Sequence, residues 1–201
     1  MQNKVRKSAL LLVVILLLQG CVNVATSGAQ AVYNRHSLQK NMSDQYTTMR
    51  ANQALNVKTS VFNDSNITVA TMDGEVLLAG QVPAAWQKKK AEEIVREIPN
   101  VRTVYNLLTV ASPSSPLTSI SDAWITAKIK TRLMASDDVD VTQVKVVTEN
   151  GKVYLMGTLL PEAADAAADI ASTTDGVQGV IKIFSYVTIS KRIMAPPATS
   201  S

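Results

Sequence analysis

The alternation of apolar and polar side chains is most regular in two stretches that resemble each other. "NITVATM" (Asn66 to Met72) and "VKVVTE" (Val144 to Glu149) both read as strands. Each runs into a turn dipeptide, Asp73-Gly74 or Asn150-Gly151, and then into an apolar run closed by glycine, "EVLLAG" or "KVYLMG". Asp-Gly and Asn-Gly between such runs predict two-residue hairpin turns, because those turns need positive φ at both central positions. Ala-rich helices are predicted over 84–97 and 162–173. A turn and a last strand follow each, in "PNVRTVYNLLTV" and "DGVQGVIKIFSYVTI". Further helices precede the hairpins, at 44–56 and 121–135. Both copies therefore read α-β-β-α-β, and the repeat is the main organising feature of the chain.

In the helix before the second hairpin, Ile125, Ile129 and Leu133 recur every four residues and predict the stripe that packs on the sheet. Their counterparts in copy one, Thr47, Ala51 and Leu55, make a poorer stripe and predict a helix less firmly docked. At about 100° per residue, Ile120, Trp124, Ala127, Thr131 and Met134 collect on a different arc, with Lys128 and Arg132 on one border and Lys130 on the other. Only one of two apolar faces can be buried within the helix's own domain. A strip holding Trp and Met between cations suits an anionic membrane surface, where apolar groups enter the headgroup boundary and cations meet phosphate. The same periodicity also admits Trp124 as a cap on the core or on the other domain. Copy one has Tyr46 in place of Trp124, retains Arg50, and has Asn52 and Ala54 where Lys130 and Arg132 stand. Trp86 and Lys88, Lys89 and Lys90 lie off the predicted buried stripe of Ala84, Ala91, Ile94, Val95 and Ile98. They read as a solvated face, with a second membrane contact or an interface with copy two as alternatives. Asp122 reads as an N-cap, and Glu149 as a charge at the end of a strand ladder.

The front of the chain changes the reading of charge. Lys4, Arg6 and Lys7 precede an unbroken apolar run from Ala9 to Leu18, the layout of a signal peptide over residues 1–20. That run falls short of the ~20 residues a spanning helix needs. Leu18-Gln19-Gly20-Cys21 resembles a bacterial lipobox, which implies lipidation of Cys21, and Val22 in place of Asp implies sorting to the outer membrane. Cys21 is the one cysteine of the sequence, so no internal disulfide is available. The formal net charge is +4, yet the 20 Lys and Arg fall to 17 once the leader's three are removed, against 16 Asp and Glu. That balance gives no support to a general nucleic-acid-binding surface. Residues 21–43 read as a lipidated tether, 112–120 as a linker and 191–201 as a flexible tail, leaving domains at 44–111 and 121–190. The only histidine, His36, falls in the tether and cannot build a metal site. Asp137, Asp138 and Asp140 lack the glycine and closing glutamate of a calcium loop. Neither a nucleophile motif nor a phosphate loop is present. The expectation is a protein that is not an enzyme and uses no cofactor or metal.

The two copies share G-x-V-x-L-x-G in the hairpin, as Gly74-Val76-Leu78-Gly80 and Gly151-Val153-Leu155-Gly157. Each also carries a second motif before the last strand, Asn100-Val101-Val104 or Gly176-Val177-Val180. This unit resembles the BON domain. The resemblance implies an α+β fold of two tandem αββαβ domains, each a small three-stranded mixed sheet with two helices on one face. Two such units behind a lipobox are similar to the dual-BON outer-membrane lipoproteins of Gram-negative bacteria, a likeness carried by "AWITAKIKTRLM", "TENGKVYLMG" and "AADIAS". Copy one departs most from the pattern, especially before Asn66. The resemblance implies a lipid-anchored monomer on the periplasmic face of the outer membrane. It also implies binding of anionic, phosphatidylglycerol-like phospholipid and support of envelope integrity and division, and the helical strip of Ile120, Trp124, Ala127, Lys128, Lys130, Thr131, Arg132 and Met134 is the surface expected to carry that binding. The rival expectation is a periplasmic interaction module that docks a protein partner such as the outer-membrane assembly machinery.

Overall fold

Both turn dipeptides have positive φ at both central residues: 52° and 75° at Asp73-Gly74, and 51° and 70° at Asn150-Gly151. The computed structural model describes the backbone of residues 28–57 and 59–187, and the side chains of 41–56 and 61–187. The predicted leader, Cys21 and the tail lie outside the described residues. The elements of copy one are α1 (Gly28–Val57), α2 (Thr59–Phe62), β1 (Asn66–Met72), β2 (Glu75–Val82), α3 (Ala85–Arg96), β3 (Thr103–Asn106) and β4 (Thr109–Val110). Copy two has α4 (Pro116–Met134), a 3₁₀ turn at Val141–Gln143, β5 (Val144–Glu149), β6 (Lys152–Leu159), α5 (Pro161–Ser172) and β7 (Gly179–Tyr186). The chain divides into a unit of residues 1–39 and a unit of residues 40–201, and the second holds both copies of the repeat.

The copies share one topology. The hairpin strands pair antiparallel, Asn66 opposite Gln81 and Val144 opposite Gly157. The crossover helix then returns the last strand parallel to the middle one, Val76 opposite Val104 and Val153 opposite Val180. Copy one adds β4, which pairs parallel with β2 at Gln81 and Val82, so its sheet has four strands rather than three. The glycines that close the two hairpin motifs have a steric reason. A Cβ on Gly80 would stand 2.1 Å from the Asn66 carbonyl oxygen, and one on Gly157 would stand 2.4 Å from that of Gln143.

Two helices depart from the predicted bounds. α1 runs well upstream of residue 44, into the stretch read as a tether. α4 begins inside the stretch read as a linker: the Ser115 side chain accepts from the Thr118 N–H and Pro116 follows in the first turn. Ser-Pro is therefore helix-start chemistry at this point. It also displaces Asp122 from the cap position into the second turn of α4 and beyond.

Alternation along β2 sends Val76, Leu78 and Val82 to a core shared with Ala51 and Leu55 of α1 and with Ala91, Ile94 and Val95 of α3. Copy two repeats this with Val153, Leu155 and Leu159 against Ile125, Ile129 and Leu133 of α4 and the alanines of α5. Thr47, Ala51 and Leu55 are buried as fully as their counterparts, so burial shows no looser docking of α1. The opposite faces of the two sheets meet each other: Ala70, Leu77 and Ala79 join Tyr154, Met156 and Ile183 in one apolar cluster. The layers thus run helices, sheet, sheet, helices. This second buried face accounts for the apolar runs of β2 and β6, because each strand must be apolar on both sides. It also corrects the reading of Glu149, which is not an open ladder end but is 9% exposed under copy one.

Candidate functional site

α4 buries Ile125, Ile129 and Leu133 and leaves the other predicted face open. Trp124 is 69% exposed, and Ile120 and Met134 are exposed as well. The earlier helix start lengthens that strip by one member, Leu117, which is 77% exposed. Trp124, Ala127, Lys128, Thr131 and Arg132 line an open groove of about 430 Å³, whose far wall is Thr173, Thr174 and Asp175. Those three follow the last turn of α5, and no sequence pattern singled them out. Ile120, Met134 and Lys130 are exposed elsewhere on the helix and do not line this groove.

The cations are not equivalent. Arg132 reaches across the groove, donating from Nη1 to the Ile170 carbonyl (2.8 Å) and to Thr174 Oγ1 (2.7 Å), and from Nη2 to Thr173 Oγ1 (3.0 Å). Lys128 Nζ donates to the Asp175 carbonyl at 2.7 Å. Arg132 thereby caps the last turn of α5, where a cation is favoured by the helix dipole, and Lys128 ties down the turn that follows it. Their positive charge remains at the groove rim, but their side chains also hold the wall in place. The Thr131 hydroxyl donates back to the Ala127 carbonyl (3.0 Å). Lys130, on the opposite border, is exposed.

The position of α4 depends on a buried carboxylate. Asp122 accepts from the Asn150 and Gly151 N–H groups, both at 2.8 Å, and so fastens the helix to the hairpin turn. Asp44 does the same in copy one, accepting from Asp73 N–H at 2.8 Å and Gly74 N–H at 3.0 Å. A hydroxyl pair repeats one turn later: Thr48 to Thr71 at 2.9 Å and Thr126 to Thr148 at 2.7 Å. The signal was present as Ser-Asp-x-x-x-Thr in "SDQYTT" and "SDAWIT". It carries an anchoring device rather than a helix cap.

Copy one keeps part of the strip, with Met42, Tyr46 and Met49 exposed. Trp86 is 60% exposed at the start of α3, and Lys90 is paired with Glu93 at 3.1 Å. Gln87, outside the predicted stripe, is buried and closes the helix start by accepting from the Ala84 N–H. Among the described residues no group of His, Cys, Asp and Glu is placed to hold a metal ion. No described helix is long and apolar enough to cross a membrane.

The BON domain profile matches residues 43–112 and 121–188. An outer membrane lipoprotein, DolP, of Haemophilus influenzae is 34% identical over 92% of this chain and 98% of its own length. A 21 kDa hemolysin of Actinobacillus pleuropneumoniae is 39% identical over 62% of this chain and 64% of its own length. Osmotically-inducible protein Y of Escherichia coli is 33% identical over 69% of this chain and 70% of its own. The C-terminal domain of CdsD, a structural protein of the Chlamydia trachomatis type III secretion system, aligns with a TM-score of 0.29 at 13% identity, over 68% of this chain and 96% of that one. With both copies matched and a relative spanning nearly the whole length, the chain belongs to the BON-domain family and carries two copies of that domain.

Proposed function

We propose that this chain is an outer-membrane lipoprotein, anchored through Cys21 on the periplasmic face, which binds anionic phospholipid through α4 and so supports envelope integrity, including at division sites. The role is non-enzymatic. The observation that carries the reading is the exposed Trp124 strip with cations on both borders, left open although both sheets and the opposite face of the helix are buried. An indole placed this way suits the headgroup boundary, because its ring is apolar and its N–H is polar. Attachment through one helix is weak, and the lipid anchor compensates by keeping the strip at high local concentration near the bilayer.

The Cys21→Ala chain tests both halves of the proposal. In cells it should leave the membrane fraction; retention there contradicts the anchor. Purified, it should pellet with phosphatidylglycerol vesicles and not with phosphatidylcholine vesicles. Adding Trp124→Ala should abolish pelleting, and adding Lys130→Gln should weaken it by about fivefold, since one surface cation contributes about 1 kcal/mol. Pelleting that ignores lipid charge or survives Trp124→Ala contradicts the lipid reading. Lys130 is the better charge probe, because changes at Lys128 and Arg132 also disturb the end of α5.

The spacing of the strip favours a second reading. Leu117, Ile120, Trp124, Ala127, Thr131 and Met134 alternate by three and four, the seam on which another helix packs. The flanking positions hold Lys128 and Lys130 and no acid. The seam therefore suits an acidic amphipathic helix from an envelope partner, such as one of the outer-membrane assembly machinery, better than a second copy of this chain.

A further inference from the structure

The face that β5 turns toward copy one carries Lys145, Val147 and Glu149. Val147 packs on the apolar cluster between the sheets, and the two charged residues flank it. Glu149 accepts from the Thr68 hydroxyl and, at 3.3 Å, from Asn66 Nδ2, both on β1 of the other domain. Asn66 also donates to Gln81 Oε1 (3.2 Å) and Ser114 Oγ (3.3 Å), so one polar knot ties β1, β2, β5 and the segment before α4. The titratable groups acting at this site are Asp122 on α4 and Tyr154 on β6, and neither is a cation. Lys145 donates instead to the Thr71 carbonyl and is influenced by Asp44 of α1 and Lys130 of α4. Glu149 is thus a carboxyl at a domain junction, held by neutral donors.

We infer that Glu149 is a proton-operated latch between the two BON domains: the neutral acid fits the buried junction, and ionisation places a poorly solvated charge there that loosens the docking. Burial, helped by the like charge of Asp122, pushes its carboxyl above the ordinary range, while the Thr68 and Asn66 bonds pull the other way. A carboxyl raised in the docked state takes up its proton more readily there than in the undocked chain. Docking therefore gains stability as pH falls through the raised value and lacks that gain at higher pH. Burial pushes the Lys145 ammonium down, so its own relief comes on the alkaline side and does not respond to acidification. Glu149 directly precedes the Asn150-Gly151 turn that Asp122 clamps, so the latch adjoins the attachment of α4.

The test compares the full chain with its Glu149→Gln variant from neutral to mildly acid pH. Carboxyl carbon resonances should show Glu149 titrating above free glutamate. Amide-exchange protection of β1 and β5, corrected for intrinsic rates, should rise several-fold on acidification, and the Gln variant should be protected at every pH in that range. Titration at or below the free value, or an identical pH response in the variant, overturns the inference. If Glu149→Gln does not fold, Thr68→Val serves: it removes a bond to the ionised form and should move the Glu149 midpoint further up, and an unmoved midpoint overturns the inference equally.

Discussion

Asp44 and Asp122 show how much a single buried carboxylate organises in this chain. Each satisfies two N–H groups of a turn whose backbone is otherwise unusual, with positive φ at two consecutive residues. Asp122→Ala would leave the Asn150 and Gly151 donors without that partner. Orphaned buried groups are destabilising by about 1–3 kcal/mol, so urea unfolding should show a loss of that size. Asp122→Asn, which retains an accepting oxygen, should recover part of it. An unchanged midpoint for Asp122→Ala would mean that the clamp contributes nothing. The residue types were readable from the sequence, but their role was not. A Ser-Asp pair ahead of an apolar stripe has the same appearance as a cap, and what separates the two is the helix start at Pro116.

At the scale of elements, the hairpins and crossover helices were legible because turn chemistry and period-two alternation are local signals. Less legible were features set by contacts distant in sequence. β4 is two residues long and exists through its pairing with β2, which no local pattern announces. Glu149 sits on a strand whose outward face is covered by another domain, so alternation alone placed it at a surface. The groove wall at Thr173–Asp175 is likewise a product of packing, held by Arg132 from a helix some forty residues earlier in the chain. That tie makes α4 and the end of α5 one mechanical element. Arg132→Met keeps the aliphatic stem and removes three hydrogen bonds. It should speed amide exchange in the last turn of α5 more than in α3, which has no such tie to α4. Equal exchange in variant and parent would contradict this role.

For the whole molecule, the two sheets packed face to face give each BON domain a second buried apolar side and direct the helices outward. The arrangement explains why β2 and β6 carry unbroken apolar runs, Val76–Ala79 and Val153–Met156, and why the strip on α4 is not absorbed by the core. It also leaves the exposed cations of α4, Lys128, Lys130 and Arg132, grouped at the borders of one helix in a chain whose formal net charge is only +4. Lipid binding through α4 can be read most directly from the emission of Trp124 itself, in a Cys21→Ala, Trp86→Phe chain titrated with vesicles. A blue shift is expected with phosphatidylglycerol and none with phosphatidylcholine. An emission spectrum that stays that of a water-exposed indole at saturating anionic lipid would contradict it.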